Sequence, residues 1–207
     1  MPLREDIKKV VEKVTGVARP KRDKVKALVK ARKPNLHRFK DDGETPNNPA
    51  LALIHYRSAV RLDASYDPAA ILEEIFASNG WEGSWRDGVY DFNHFHTKTH
   101  EVLGIARGHV RVRFGGARGR VVALKGGDIV ILPAGTGHRR ISASRDLLVV
   151  GAYPDNGGKY NEPQADDVDI EKARTDIRRV KLPKRDPLYG ARTGLREVWR
   201  KSKTGRT

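Results

Sequence analysis

Gly88-Val89-Tyr90-Asp91-Phe92-Asn93-His94-Phe95-His96-Thr97-Lys98-Thr99-His100-Glu101-Val102-Leu103-Gly104-Ile105-Ala106-Arg107-Gly108 and, further on, Gly127-Asp128-Ile129-Val130-Ile131-Leu132-Pro133-Ala134-Gly135-Thr136-Gly137-His138 decide how this chain folds. Two histidines one residue apart present the same face of a strand, because side chains alternate with period two, so His94 and His96 can share one ion. Thr97 to His100 is short and polar enough to turn the chain, and Glu101 then enters a strand running through Ala106 with its carboxylate facing back toward the imidazoles. Gly127, Pro133 and Gly135 punctuate a third strand, Asp128 to Leu132, and a tight turn that delivers His138 from a neighbouring strand.

Three neutral imidazoles and one carboxylate suit borderline first-row divalent metals, and the open positions of a six-coordinate site admit substrate, water or dioxygen. His94, His96, Glu101 and His138 are the candidate ligands; Fe2+, Mn2+, Ni2+ and Zn2+, with Co2+ and Cu2+, are all compatible with them. The competing reading is of scattered histidines satisfied by hydrogen bonds. It has to account for five of only seven histidines falling between positions 94 and 138.

The two stretches resemble the paired motifs of the cupin superfamily, with Ser142 standing where many cupins end the second motif in asparagine. The resemblance implies a mainly β chain: a cupin double-stranded β-helix, or jelly-roll barrel, here with flanking N- and C-terminal helices. A narrower resemblance runs from about Arg38 to Trp199. Asp42-Gly43, Pro46-Asn47-Asn48-Pro49, Asn79-Gly80-Trp81, Trp85-Arg86-Asp87-Gly88, His100-Glu101-Val102-Leu103-Gly104, Pro133-Ala134-Gly135-Thr136-Gly137-His138 and Asp186-Pro187-Leu188-Tyr189-Gly190 together look like the YjlB-like cupins. Those proteins are mostly described only as cupin-domain proteins, so the match implies a fold more than a reaction. Related small cupins are described as oxidoreductases, and cupin barrels commonly pair, which implies a homodimer.

At 207 residues with 38% hydrophobic content, the chain suits one domain with appendages. We expect a basic helical N-terminal extension over 1–37, the cupin barrel over 38–160 and a basic C-terminal extension over 161–207, partly packed on the barrel. The absence of cysteine removes disulfides, thiolate ligands and a cysteine nucleophile together. No apolar run is long enough to span a membrane and the first residues lack the apolar core of a signal peptide, so a soluble cytoplasmic protein is expected. The net charge of +15 belongs to the two ends, while residues 41–170 carry more acidic than basic side chains. The basic tails imply at most a weak contact with polyanions, because no aromatic residue interleaves with the N-terminal basic run before Phe39.

Leu3, Ile7, Val10, Val11 and Val14 recur at helical spacing, and a second basic helical stretch is expected from Lys21 to Arg32 around Val25, Leu28 and Val29, as a loosely docked extension. Ala50 to Tyr56 reads as a first strand. Asp67-Pro68 followed by Ile71, Leu72, Ile75 and Phe76 reads as a capped helix with Gly80 near its end, its apolar face packed on the barrel. Trp81 and Trp85 either wall the pocket mouth or seal the helix against the barrel. Val110, Val112 and Phe114 alternate with His109, Arg111 and Arg113, which places His109 outside; Leu147 to Tyr153 reads as the closing strand. Ile170, Ala173 and Ile177 suggest a short helix, and the end beyond Arg192 is expected to fray.

Parity sorts the remaining candidates. His100 is one residue from Glu101 and points to the other side of its strand, so it is not expected to be a ligand. Arg140 shares the parity of His138 and is a candidate to hold an anionic group of substrate. Tyr90 shares the parity of His94 and is a candidate proton donor. With Glu101 as a ligand that also takes a proton, the expected function is a metal-dependent enzyme acting on a small-molecule substrate, an oxidoreductase of dioxygenase type. The alternatives are a metal-assisted isomerase or lyase, or a non-catalytic ligand- or metal-binding module.

Overall fold

The computed structural model describes residues 19–154, 168–191 and 194–203. The helix expected around Leu3 to Val14 lies outside them. Along the chain come α1 (Arg22–Lys26), β1 (Asn35–His37), β2 (Leu53–Tyr56), α2 (Pro68–Ser78), β3 (Trp81–Asp87), β4 (Glu101–Arg107), β5 (His109–Phe114), β6 (Arg120–Lys125), β7 (Ile129–Leu132), β8 (His138–Ala143), β9 (Leu148–Pro154), α3 (Ile170–Arg179) and α4 (Leu195–Lys203). The strands form two antiparallel sheets, one in the order β1-β2-β7-β4-β9-β3 and the other β6-β5-β8. This is a mainly β, two-sheet architecture of the kind the cupin resemblance implies.

The central strands of the larger sheet are apolar on both faces, and alternation assigns each face its layer. Leu53, Leu103, Ile105, Val130, Leu132 and Val149 meet Val110, Val112, Phe114 and Leu124 of the smaller sheet in one buried cluster. Their neighbours Ile54, Val102, Ile129, Ile131, Val150 and Ala152 face the other way and pack with Ile71, Leu72, Ile75 and Phe76 of α2. Strands buried on both faces read as continuous apolar runs, which Ile129-Val130-Ile131-Leu132 shows directly.

α2 starts where Asp67 accepts a hydrogen bond from the Ala69 amide and Pro68 takes the first turn. Its apolar face lies so close to β4 that a Cβ at Gly104 would sit 2.9 Å from Leu72 Cδ1 and 3.0 Å from Phe76 Cζ. Gly104→Val should therefore overpack this layer and cost about 2 kcal/mol, read as a lower midpoint of chemical denaturation. An unchanged midpoint would contradict the packing argument.

The described parts of the two basic segments are held more firmly than their charge suggests. The expected helix from Lys21 to Arg32 is only one turn and a half long, because Val29 leaves helical geometry to bridge Val60. Val25 and Leu28 are buried at 1% and 3% exposure in the α2 layer, so this stretch is docked and not a loose extension. Beyond Arg192 the chain does not fray at once: α4 inserts Leu195 and Trp199, both 0% exposed, against the same layer. The strand expected over Ala50 to Tyr56 begins only at Leu53 and is the second, Asn35–His37 preceding it. No helix among the described residues is long and apolar enough to cross a membrane.

Candidate metal centre

His94, His96 and His138 are buried, and each offers a ring nitrogen within 4.8 Å of the other two. His94 and His96 are not in a regular strand. They lie in an extended segment pinned to β8 by a single antiparallel bridge, in which the His94 amide donates to the His138 carbonyl at 3.2 Å and the His138 amide donates to the His94 carbonyl at 2.9 Å. The bridge brings the two imidazoles to a centroid distance of 4.0 Å. His94 Nδ1 lies 3.4 Å from the Phe92 carbonyl and His138 Nδ1 lies 3.1 Å from the Thr136 carbonyl. Carbonyls accept only, so each Nδ1 carries the proton and each Nε2 keeps its lone pair for a ligand.

Glu101 opens β4 with the parity of Leu103, toward the space between the sheets. Its Oε2 lies 3.3 Å from His96 Nε2 and 3.5 Å from His138 Nε2, yet this buried atom makes no aligned hydrogen bond to either. An oxygen close to two imidazole nitrogens, without pointing along an N–H bond of either, is aimed with them at a common point. The donor set and this orphaned oxygen both fit a divalent cation.

Charge at the site follows from the same geometry. Burial opposes ionisation of Glu101, but the surrounding His96, His138 and His94 imidazoles overcome it and hold the carboxyl at about 2. Burial, helped by His94, lowers His138 to about 3, against the opposing pull of Glu101. Burial likewise lowers His94. Each group thus has a native pKa below its unfolded one, so the unfolded chain binds protons the folded chain refuses, and acid is destabilising. Stability of the metal-free protein should fall as pH drops from about 6.5 toward 3 through His138 and from about 4.5 toward 2 through Glu101. A thermal midpoint that stays flat from about pH 7 to pH 4 would contradict these shifts.

The imidazoles and Glu101 close one end of a cavity of about 470 Å³ whose walls include Trp85, Val89, Tyr90, Leu103 and Tyr153. Trp85 donates from Nε1 to the Tyr153 hydroxyl at 2.9 Å, and its ring lies over Gly151, where a Cβ would fall 2.1 Å from the indole. Trp81 takes the other expected role: it is 1% exposed and donates to the Arg185 carbonyl at 3.0 Å, sealing β3 against the C-terminal segment.

A search of protein-family models matches none to this chain. The uncharacterized protein YjlB of Bacillus subtilis is 37% identical over 161 residues, 78% of this chain and 93% of that protein. The chain belongs to the family of YjlB. Among solved structures, acireductone dioxygenase from Bacillus anthracis, with a cadmium ion in its active centre, is similar over 42% of this chain and 59% of its own, at 19% identity and a TM-score of 0.32. A mutant of oxalate decarboxylase from Bacillus subtilis is similar over 55% of this chain and 22% of its own, at 16% identity and a TM-score of 0.30. Neither likeness bears on the activity of this member of the YjlB family.

In this YjlB relative the structure brings together all four candidate ligands and places Tyr90 in the cavity wall. Arg140 is a correction. It is not among the residues that line the cavity; its guanidinium stands 3.6 Å from the exposed carboxylate of Asp91. His100 stays out of the site as parity requires, accepting from the Ala134 amide at 3.0 Å and packing on Trp199 with ring centroids 4.8 Å apart. His109 is exposed.

Sequence reasoning missed the supports. Asn47 accepts from the Gly137 amide at 3.2 Å and donates to the Gly115 carbonyl at 3.2 Å, which fixes the turn that carries His138. Asn48 donates to the Ala134 carbonyl in the same turn. Two asparagines between prolines, Pro46-Asn47-Asn48-Pro49, were the available signal. Tyr153 was missed as a wall residue although its parity, opposite to buried Ala152, points it inward.

Proposed function

We propose that this chain is a metal-dependent enzyme of small-molecule metabolism, an oxidoreductase of dioxygenase type. The observation that carries the proposal is the buried Glu101 oxygen, flanked by imidazole nitrogens at 3.3 and 3.5 Å and left without an aligned hydrogen bond, at the closed end of a cavity large enough for a small substrate. A divalent ion there supplies Lewis acidity toward substrate oxygens. His94, His96 and His138 would hold it as neutral donors, the tautomers of His94 and His138 being set by backbone carbonyls. Glu101 would hold it as an anion and, when displaced, accept a proton from substrate at its Oε2. The apolar walls exclude bulk water from that end.

The same reading makes the chain a cytoplasmic homodimer whose basic termini contact polyanions only weakly; sedimentation tests the pairing. Oxygen uptake by anaerobically Fe(II)-loaded protein, followed across catechols, thiols and diketones, tests the reaction. Consumption of dioxygen with substrate is expected. Turnover under argon would overturn the dioxygenase reading in favour of metal-assisted isomerisation or lysis.

A further inference from the structure

The cavity has a strongly asymmetric chemistry. Arg86 is the sole lysine or arginine among its described lining residues, and it is already taken: Nε and Nη2 bond Glu73 at 2.8 and 2.9 Å, and Nη1 bonds Asp67 at 2.7 Å. Arg140 is not among the lining residues, and its guanidinium stands 3.6 Å from Asp91. The carboxylates of Asp87 and Glu101 also line the space. Apart from the ion itself, a phosphorylated or polycarboxylate ligand would find no uncommitted lysine or arginine among the lining residues and would face the Asp87 carboxylate, Glu101 being engaged by the ion.

The mouth is aromatic. Four large hydrophobic side chains are exposed among the described residues, Leu36, Tyr90, Phe92 and Ile141, and two of them stand here. Tyr90 is 43% and Phe92 39% exposed, their rings nearly parallel at 15° and 4.8 Å apart. Both rings also touch His94, Tyr90 edge-on at 5.1 Å and Phe92 at 5.6 Å. Stacked aromatic faces left in water beside a metal-capable cluster gain most when a flat apolar group covers them.

We infer that the cavity takes a planar, largely apolar ligand, an aromatic ring or conjugated enone bearing one oxygen-chelating group, and that Tyr90, backed by Phe92, is the platform on which the ring lies. The inference rests on the metal-centre reading above. It also reassigns Tyr90, whose ring and not its hydroxyl does the recognition.

Benzohydroxamate and acetohydroxamate share a chelating head and differ in phenyl against methyl. Titrated calorimetrically into Zn(II)-loaded protein, benzohydroxamate should bind roughly tenfold more tightly. Tyr90→Ala should cut that ratio about fivefold and Phe92→Ala about threefold, whereas Tyr90→Phe should keep it within about twofold. Equal affinity for the two probes, or a ratio untouched by Tyr90→Ala, overturns the inference while bound zinc leaves the metal-centre reading standing. Failure to take up zinc at all overturns both. A ratio unchanged while Tyr90→Ala and Phe92→Ala convert a dimer to a monomer also overturns it, and assigns the rim to a second copy of the chain.

Discussion

His96→Ala and Glu101→Ala, made separately, should each weaken divalent-metal binding by on the order of 100-fold or more, a larger loss than the 10- to 100-fold typical of residues that merely support a ligand. The reason lies in how few donors share the point. Three ring nitrogens lie within 4.8 Å of one another, and Glu101 supplies the one anionic oxygen, so removal of either residue takes a quarter of the donor set. Glu101→Ala removes in addition the charge that offsets the cation. Elemental analysis of protein purified without metal-affinity resin measures the effect. Stoichiometric metal retained in both variants would show that the assigned centre is not where metal binds. Glu101→Gln, which keeps the shape and loses the charge, should fold like the parent and bind metal weakly, separating ligand loss from unfolding.

Asp186→Ala should lower the thermal midpoint by roughly 8–16 °C, as expected for a loss of about 4 kcal/mol from a chain of this size. Asp186 is 0% exposed. Its Oδ1 accepts from the Leu188 amide at 2.8 Å and the Tyr189 amide at 3.0 Å; its Oδ2 accepts from the Leu195 amide at 2.8 Å and the Tyr56 hydroxyl at 3.1 Å. Alanine would strand two buried amides, the part-buried Tyr189 amide and a buried phenol, at about 1–3 kcal/mol for each donor that cannot find water. The carboxylate also ties α4 to β2, so its loss should loosen Trp199, whose Nε1 donates to the Ala52 carbonyl at 2.8 Å. Asp186→Asn keeps one acceptor and turns a donor toward Leu195, and should fall between the two. Calorimetry decides; a shift below about 3 °C for Asp186→Ala would mean that water replaces the carboxylate.

Some of the site was legible because it depends on parity and short spacing alone. Glu101 faces inward with Leu103, and His100 faces outward with Val102, as alternation along β4 requires. α2 was legible for the same local reason: Asp67, Pro68 and the apolar repeat after them carry its cap and its face. Other features depend on partners far away in the chain. Arg140 has the parity of His138 and still is not among the lining residues; its guanidinium stands by Asp91 on another segment. Val25 and Leu28 looked like spacing in a solvated basic arm, and their burial depends on an α2 layer built from residues more than forty positions later.

The sequence by itself carried the resemblance that implied the two-sheet fold, and its period-two alternation and glycine-proline punctuation, which are properties of neighbouring residues, picked out the four candidate ligands. Only the tertiary structure decided that His94 and His138 meet through one backbone bridge, that Asn47 holds the turn between them, and that Tyr90 and Phe92 form the cavity's aromatic lip. Those outcomes turn on non-local hydrogen bonds and burial, which exist only once the two sheets have closed on each other.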